Sequence, residues 1–163
     1  MRKWKVPALL LAVMLLLTGC APKDAGLAIL IGLDKTELAQ GDLPCRSYYA
    51  GETLMVPLCK VAETLGYSAE WDSASKTAVI DDGYIQKATL TAGSTTAVFE
   101  GKLKMLNMSR EAELTVKSVV VEGVLYVPAD FFTEFLNDVE YGEGIVTIAP
   151  SMNYTDYVKA FFG

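Results

Sequence analysis

The chain of 163 residues contains no histidine. Histidine is the usual base of nucleophilic triads and the commonest protein ligand of transition metals. Its absence excludes histidine-based triads and the usual zinc and copper sites. Cysteine is also scarce, with three residues in the whole chain. Two of them, Cys45 and Cys59, would be available as thiols, and with scattered carboxylates they do not make a zinc site. We therefore predict no metal site and no cofactor.

Long apolar runs are also scarce. The run from Val6 to Leu17 follows the basic residues Arg2, Lys3 and Lys5. A membrane-spanning helix needs roughly 20 apolar residues, so this shorter run is too short to be an anchor helix. A basic start followed by a short apolar run is typical of a signal peptide.

The signal ends in Leu17-Thr18-Gly19-Cys20, which resembles a bacterial lipoprotein signal. The resemblance implies that residues 1–19 are removed and that Cys20 is acylated and becomes the new N-terminus. The alternative is an ordinary secretory signal with an incidental cysteine. With lipidation, residues 20–27 form a short tether, and the domain is extracytoplasmic and anchored to the bacterial membrane through the lipid on Cys20.

The charge is negative, with 20 acidic and 14 basic residues. Three basic residues lie in the signal, so the remaining chain has 11 basic against 20 acidic residues and a net charge of −9. An acidic surface argues against nucleic acid as a partner. It also predicts that the domain stands off an anionic bilayer rather than lying on it.

Cys45 and Cys59 remain after the signal. Outside the cytosol two cysteines are able to form a disulfide if their Cα atoms come within about 7 Å. The alternative is two buried thiols.

The stretch LMVPLCKVAETLG at residues 54–66 predicts a strand end, a helix and a stop. Pro57 is predicted at the first helical position, where its missing N–H costs nothing. The apolar residues that follow are spaced i, i+3, i+4 and i+7, which is one face of a helix. Gly66 is suited to the left-handed position after a helix.

The second half repeats this order, with LYVPADFFTEFLN at residues 125–137. Val127-Pro128 matches Val56-Pro57, and Asn137 takes the place of the glycine stop. We predict an α+β fold over residues 28–150, made of two β-rich repeats at about 28–81 and 88–149. Each repeat has antiparallel strands packed on one short proline-started helix, and two such units share one core.

The pattern of LMVPL, a helix ending in ETLGY, and AEWDSASKTAVI resembles the copper amine oxidase N-terminal-like (stalk) domain family. The resemblance covers roughly residues 28–150 and implies an antiparallel sheet curling round a helix, in an accessory rather than a catalytic part. The copper chemistry for which the family is named belongs to another domain of the parent enzyme. The family usually has arginine after Val-Pro-Leu, whereas this chain has Cys59 there and Ala129-Asp130 in the second copy.

Residues 151–163 have aromatic residues at helical spacing and predict an amphipathic C-terminal segment. One interpretation is a terminal helix packed on the domain. The other is an exposed face that docks a partner.

Among the carboxylates, Asp81-Asp82-Gly83 is typical of a turn, and a hydrolase using Asp81 or Glu63 is the weakest functional hypothesis. Trp71 and Tyr141 share a repeat position, which favours packing.

Tyr48 and Tyr49 are adjacent on a predicted strand and so point to opposite faces. With Arg46 they form our predicted contact surface.

The leading hypothesis is a non-catalytic cell-envelope lipoprotein domain that binds or positions a wall polymer or a protein partner, through shape or by strand addition to a sheet edge. The alternative is a small-ligand-binding lipoprotein with a pocket between the repeats.

Overall fold

The computed structural model describes residues 22–105 and 107–151. The predicted signal peptide, Cys20 and the C-terminal segment from residue 152 onward lie outside these ranges. No helix within the described ranges has the length and apolarity needed to cross a membrane. The elements in chain order are β1 (Ala28–Ile31), β2 (Thr36–Glu37), β3 (Tyr48–Ala50), β4 (Thr53–Pro57), α1 (Leu58–Thr64), β5 (Ser68–Asp72), β6 (Thr77–Asp81), β7 (Gln86–Thr91), β8 (Thr96–Gly101), β9 (Arg110–Glu113), β10 (Val119–Val121), β11 (Val124–Pro128), a 3₁₀ helix (Ala129–Phe135), β12 (Asn137–Gly142) and β13 (Ile145–Pro150).

The strands form three sheets, in the orders β12-β13-β1-β2, β10-β11-β4-β3 and β5-β6-β7-β8-β9. The predicted α+β class with antiparallel sheets is confirmed, with one difference: β1 pairs with β13 in parallel. Parallel neighbours need a long connection, and here almost the whole domain lies between the two strands. The first strand thereby closes the fold against the last.

The core is one large apolar cluster to which strands of all three sheets and both helices contribute. Strand β7 shows why these residues form a half-buried sheet, since Gln86, Ala88 and Leu90 are buried and alternate with more exposed neighbours. A second, small cluster of Cys45, Tyr48, Met55 and Tyr126 lies on the other face of the β10-β11-β4-β3 sheet.

Helix α1 buries Leu58, Val61 and Ala62. Pro57 is the last residue of β4 and precedes the helix, one position earlier than predicted. Gly66 has φ of +87° and donates its N–H to Glu63 O at 3.0 Å, and the next residue donates to Ala62 O at 2.9 Å. These two bonds are a Schellman cap, so the predicted glycine stop is confirmed.

The second helical segment is a 3₁₀ helix that begins after Pro128 and buries three phenylalanines. The prediction that Asn137 adopts the left-handed cap conformation was wrong, because Leu136 does so, with φ of 59°. Asn137 is instead the first residue of β12 and is buried. Its Nδ2 donates to the carbonyls of Phe132 and Phe135, each at 3.1 Å. The amide side chain thus adds donors to carbonyls at the C-terminal end of the 3₁₀ helix.

Residues 24–27, which were predicted to belong to the tether, are part of the folded body. Asp24 forms a β-bridge with Tyr48, and the Ala25 N–H donates to Ser47 O at 2.8 Å. Ala25 and Leu27 pack against the core. The chain therefore joins the folded body from Asp24 onward.

A candidate ligand-binding groove

A groove of about 470 Å³ lies between the β5–β6 turn and the β10–β11 hairpin. Its walls combine one aromatic ring, two lysines and an apolar strand edge. Among the lining residues are Trp71, Lys76, Gly93, Lys117, Val119 and Val120.

The groove is basic within an acidic chain. Lys76 and Lys117 are both exposed, and neither forms an ion pair with any residue in 22–105 or 107–151. The chain as a whole has a net charge of −6. Two uncompensated lysines facing one groove favour an anionic ligand, since local charge governs encounter with charged ligands.

The floor of the groove is fixed by backbone hydrogen bonds around Ser118. The Gly93 N–H donates to Ser118 O and the Ser118 N–H donates to Ser94 O, both at 3.0 Å. The Ser118 hydroxyl donates to Thr91 O at 3.1 Å. This serine is buried and already bonded, so the lysines and the apolar groups remain for contact with a ligand.

One wall of the groove is the open edge of β10. Residues Glu122 and Gly123 form a two-residue hairpin turn with positive φ at both positions. The flanking pair Val121 and Val124 is then the hydrogen-bonded pair, so the N–H and C=O of Val120 point away from β11. The Val120 side chain is 38% exposed.

One of the three residues predicted to form a contact surface, Tyr48, is buried. Tyr48 is 6% exposed, and its ring centroid lies 5.5 Å from that of Tyr126. Its strand neighbour Tyr49 is 45% exposed, as the alternation of a strand requires. Arg46 is exposed and lies 3.8 Å from the Asp24 carboxylate. None of the three predicted residues lines the groove.

Cys45 and Cys59 are free thiols in the structure and do not form a disulfide with each other. Cys45 packs in the small cluster, where the Tyr126 hydroxyl donates to its carbonyl oxygen. Helix α1, which carries Cys59, packs its buried residues on the opposite face of that sheet.

The packing role predicted for Trp71 and Tyr141 applies to Trp71 alone. Trp71 is half-buried against the large core and also forms part of the groove. Tyr141 is 58% exposed. Partial burial raises the pKa of its hydroxyl, with smaller contributions from Asp130 and Tyr49.

The two carboxylates considered for hydrolysis, Asp81 and Glu63, line neither the groove nor a smaller cavity of about 140 Å³ beside the loop that follows β6. Asp81 is paired with Lys102 and also accepts the Gly83 N–H at 2.6 Å. Its partial burial acts to raise the pKa, but these two donors outweigh it and lower the pKa of the carboxyl below its usual value. Glu63 is exposed on α1. The described part of the chain contains no cluster of three cysteine, aspartate or glutamate residues able to hold a metal ion.

The model of the family described as "Copper amine oxidase N-terminal domain" matches residues 40–149. The chain belongs to this family. In copper amine oxidases this N-terminal domain is non-catalytic. No curated protein and no solved structure matches the chain.

The sequence predicted a pocket between the repeats as one alternative, but it did not indicate the two lysines that line the groove of this copper amine oxidase N-terminal domain. Its two basic residues come from a turn and from the residues before β10, more than 40 positions apart, and the pairing that joins them is non-local. One local signal was available: KSVVVEG has three consecutive valines between Ser118 and a Glu-Gly turn. A valine run without charge at a hairpin indicates an unprotected strand edge.

Proposed function

We propose that the chain is a non-catalytic, lipid-anchored extracytoplasmic domain that binds an anionic cell-wall polymer in the groove. The observation that carries the proposal is the pair Lys76 and Lys117 beside the Trp71 ring, in a chain that is otherwise acidic. Sugar rings pack on aromatic faces, and lysine ammonium groups pair with phosphate or carboxylate. An extended sugar polymer with repeated negative charges offers a sugar face to Trp71 and anionic groups to Lys76 and Lys117.

The proposal includes the two-repeat organisation, and the sheet pairing supports it. Strand β4 pairs with β11 so that Val56 lies opposite Val127. These two valines occupy the same place in the two Val-Pro motifs. An antiparallel pairing centred on equivalent residues is what a local twofold axis between the repeats would produce. The groove is lined from both predicted repeats, by Trp71 and Lys76 from the first and by Val119 and Val120 from the second.

The experiment compares binding of the full chain, solubilised in detergent, to purified wall material before and after chemical removal of its anionic polymers. The test variant is Lys76→Ala with Lys117→Ala. The matched control is Lys35→Ala with Lys60→Ala, since these lysines are also outside ion pairs among described residues but do not line the groove. A chromatographic or spectroscopic check confirms that both doubles fold.

We expect the groove double variant to bind untreated walls about tenfold more weakly, a loss of about 1.4 kcal/mol. The control double variant should bind untreated walls like the parent chain. Walls stripped of their anionic polymers should bind all three proteins weakly. Raising the salt concentration should weaken the parent more than the groove variant, because exposed charges are screened. Equal loss in both doubles would instead indicate non-specific attraction and would overturn the proposal.

A second candidate is a small anionic ligand, and the size of the groove favours it. Its volume of about 470 Å³ lies within the ~300–1,000 Å³ that is usual for ligand sites. Glycerol phosphate and a sugar phosphate, titrated against the full chain, separate the two cases. Binding of these monomers as tight as that of the polymer would favour the small-ligand role.

A third candidate is a protein partner that adds a strand at β10, and the outward groups of Val120 favour it. Val120→Pro removes the outward N–H and fixes φ, but it removes no hydrogen bond to β11, because the Val120 N–H takes no part in that pairing. Val120→Ala keeps it. A photocrosslink from a probe at the exposed position 117, formed in native envelope, lost with Val120→Pro and kept with Val120→Ala, would support strand addition.

A further inference from the structure

The chain joins the folded body at the edge strand β3. Asp24 forms a β-bridge with Tyr48, and the Ala25 N–H donates to Ser47 O at 2.8 Å. Cys20, the lipidated residue of the proposed function, therefore precedes the first bridged residue by only four positions. Because an extended chain spans at most about 3.6 Å per residue, Asp24 lies within about 14 Å of Cys20.

This short connection holds the β3 edge close to the membrane. The acyl chains of a lipidated cysteine enter the hydrocarbon, so the cysteine itself is held at the level of the lipid head groups. Each head-group layer is roughly 5–8 Å thick, since a bilayer of about 40–45 Å has a hydrocarbon core of about 30 Å. Asp24 and its strand partner Tyr48 are then held within about 10 Å of the head groups.

Three exposed residues at this edge suit a layer of lipid head groups. Tyr49 is 45% exposed on β3, and tyrosine is enriched at membrane interfaces because its body is apolar and its tip polar. Lys23 is exposed and immediately precedes Asp24. The Arg46 side chain is 60% exposed, and its Nη1 lies 3.8 Å from the Asp24 carboxylate, which is longer than a hydrogen bond. The Arg46 donors therefore remain available to lipid phosphate. We call Lys23, Arg46 and Tyr49 the β3 edge surface.

The groove lies at the opposite edge of the same sheet. The strand order is β10-β11-β4-β3, so β3 and β10 are the two outer strands. Three strand spacings of about 4.8 Å separate them, which is a distance of about 14 Å. Because the groove is lined by Val119 and Val120 of β10, the connection to Cys20 and the groove leave the sheet on opposite sides.

The distribution of charge favours one orientation. After the signal the chain has 11 basic against 20 acidic residues, a net charge of −9, so an anionic lipid surface repels the domain as a whole. Lys23 and Arg46 place two positive charges beside the carboxylate of Asp24, at the point where the chain reaches the membrane. Attraction at this edge and repulsion of the remainder turn the β3 edge surface toward the lipid.

We propose that the β3 edge surface lies on the lipid head groups and that the groove opens away from the membrane. This orientation rests on the anchoring of Cys20 in the proposed function and adds to it the face that meets the bilayer. It assigns a lipid surface as the partner of Arg46 and Tyr49. A groove directed away from the bilayer reaches a wall polymer without any rotation of the anchored domain.

The test places a photoreactive benzophenone amino acid at position 49 or at position 117 of the full lipidated chain. Position 49 lies in the β3 edge surface, and position 117 lines the groove. Each protein is reconstituted into vesicles of phosphatidylcholine and phosphatidylglycerol and irradiated, and lipid adducts are counted by mass spectrometry. We expect at least about tenfold more adduct from position 49, because benzophenone reacts only with groups that it contacts and position 117 lies about 14 Å farther from the lipid.

A pair of double variants tests the two basic residues, with the probe kept at position 49. Lys23→Ala with Arg46→Ala should lower the yield of lipid adduct at least about threefold, because each basic residue near an anionic membrane adds attraction. Lys35→Ala with Lys60→Ala removes the same charge elsewhere and should leave the yield unchanged. Vesicles of phosphatidylcholine alone should abolish the difference between the two doubles. Equal losses in both doubles would refute the role of Lys23 and Arg46.

Flotation with the vesicles and the mass of the Cys20 peptide separate failure of the anchor from failure of the orientation. Acylated protein that floats but forms as much adduct from position 117 as from position 49 would overturn the orientation and leave the anchor in place. A Cys20 without acyl chains would overturn the anchor and the orientation together. Acylated protein with adducts confined to position 49 would support both.

Discussion

Arg110 and Glu134 join the five-stranded sheet to the 3₁₀ helix. Arg110 Nη2 lies 2.7 Å from Glu134 Oε2 and 3.0 Å from the Glu134 carbonyl oxygen. The guanidinium carbon is 4.4 Å from the centroid of the Phe99 ring. A second residue of the sheet, Gln86, donates from Nε2 to the same carbonyl at 2.8 Å. Arg110, on the edge strand β9, thus contacts the Glu134 carboxylate, the Glu134 carbonyl oxygen and the Phe99 ring.

Arg110→Ala should therefore destabilise the fold more than loss of an ordinary surface ion pair. We expect the free energy of unfolding to fall by about 1–2 kcal/mol, because hydrogen bonds, stacking and aliphatic packing are lost together. Lys87→Ala is the control, since Lys87 forms a single ion pair with Glu100, at 3.0 Å, and its loss should cost less than about 0.5 kcal/mol. Urea unfolding followed by tryptophan fluorescence measures both. Equal losses would show that the Arg110 contacts add nothing beyond a surface pair.

The Schellman cap at Gly66 gives a second prediction. Gly66 has φ of +87°, and a Cβ added there would meet nothing within 4 Å. The cost of Gly66→Ala is then backbone strain alone, and we expect a loss of about 1 kcal/mol in unfolding free energy.

Gly41 is the control for this change, since a Cβ at that position also meets nothing but the backbone is not left-handed. Gly41→Ala should leave stability unchanged or raise it slightly. The midpoint of thermal unfolding should therefore fall in Gly66→Ala and stay the same or rise in Gly41→Ala. A loss at Gly41 as large as that at Gly66 would refute the conformational explanation.

Local features of the fold were predictable from the sequence because their causes lie within a few residues. The stop at Gly66 was predictable because glycine adopts positive φ without the steric cost that a Cβ brings. The segment Leu58–Thr64 follows from its apolar spacing after Pro57. The second helical segment was harder, since ADFFTEF packs three buried phenylalanines into a 3₁₀ helix and moves the left-handed position to Leu136.

Non-local features could not be read from one sequence. The parallel pairing of β1 with β13 brings Ile29 opposite Val146, and nothing near either residue indicates it. The groove likewise depends on how the β5–β6 turn meets the β10–β11 hairpin. Tyr48 and Tyr49 were correctly expected to face opposite ways, but the buried partner Tyr126 that decides which one is hidden lies far along the chain.

The thiol of Cys59 supplies a prediction about pH. Burial raises its pKa to about 11, and Glu63 adds to the effect. Because the thiolate is the reactive form, alkylation of Cys59 at pH 8 should be about 100-fold slower than in the unfolded chain. Mass spectrometry of the alkylated peptide, with and without reductant, measures this rate. Labelling that requires reductant would show a disulfide and contradict the free thiol.

The same shift links stability to alkaline pH. The unfolded thiol titrates near its ordinary value of 9.0, below the folded value of about 11. The fold therefore favours the protonated thiol. The contribution of Cys59 is fully present below about pH 9 and decreases as pH rises toward 11. Cys59→Ala removes this contribution, so the difference in unfolding free energy between parent and variant should change across that interval. A difference that stays constant from pH 8 to 11 would refute the raised pKa.

The phenylalanine cluster gives the largest expected loss. Phe135 is fully buried, and its ring centroid lies 5.2 Å from that of Phe99 and 5.6 Å from that of Phe131. Phe135→Ala should lower the free energy of unfolding by about 3–5 kcal/mol, since both transfer and cavity costs apply. Ile145→Ala is the control, because Ile145 is 42% exposed and leaves no cavity.

This pair of variants also tests whether the two predicted repeats share one interior. Phe99 and Phe135 lie in the second repeat, yet Tyr67 of the first packs on Phe135 with centroids 5.7 Å apart. If the interior is shared, Phe135→Ala should lower the stability of the whole domain in one cooperative transition. Hydrogen exchange should then speed up for amides of α1 and β6 as well as for β12 and β13. Faster exchange confined to β12 and β13 would mean that the halves unfold independently, and the shared core would have to be abandoned.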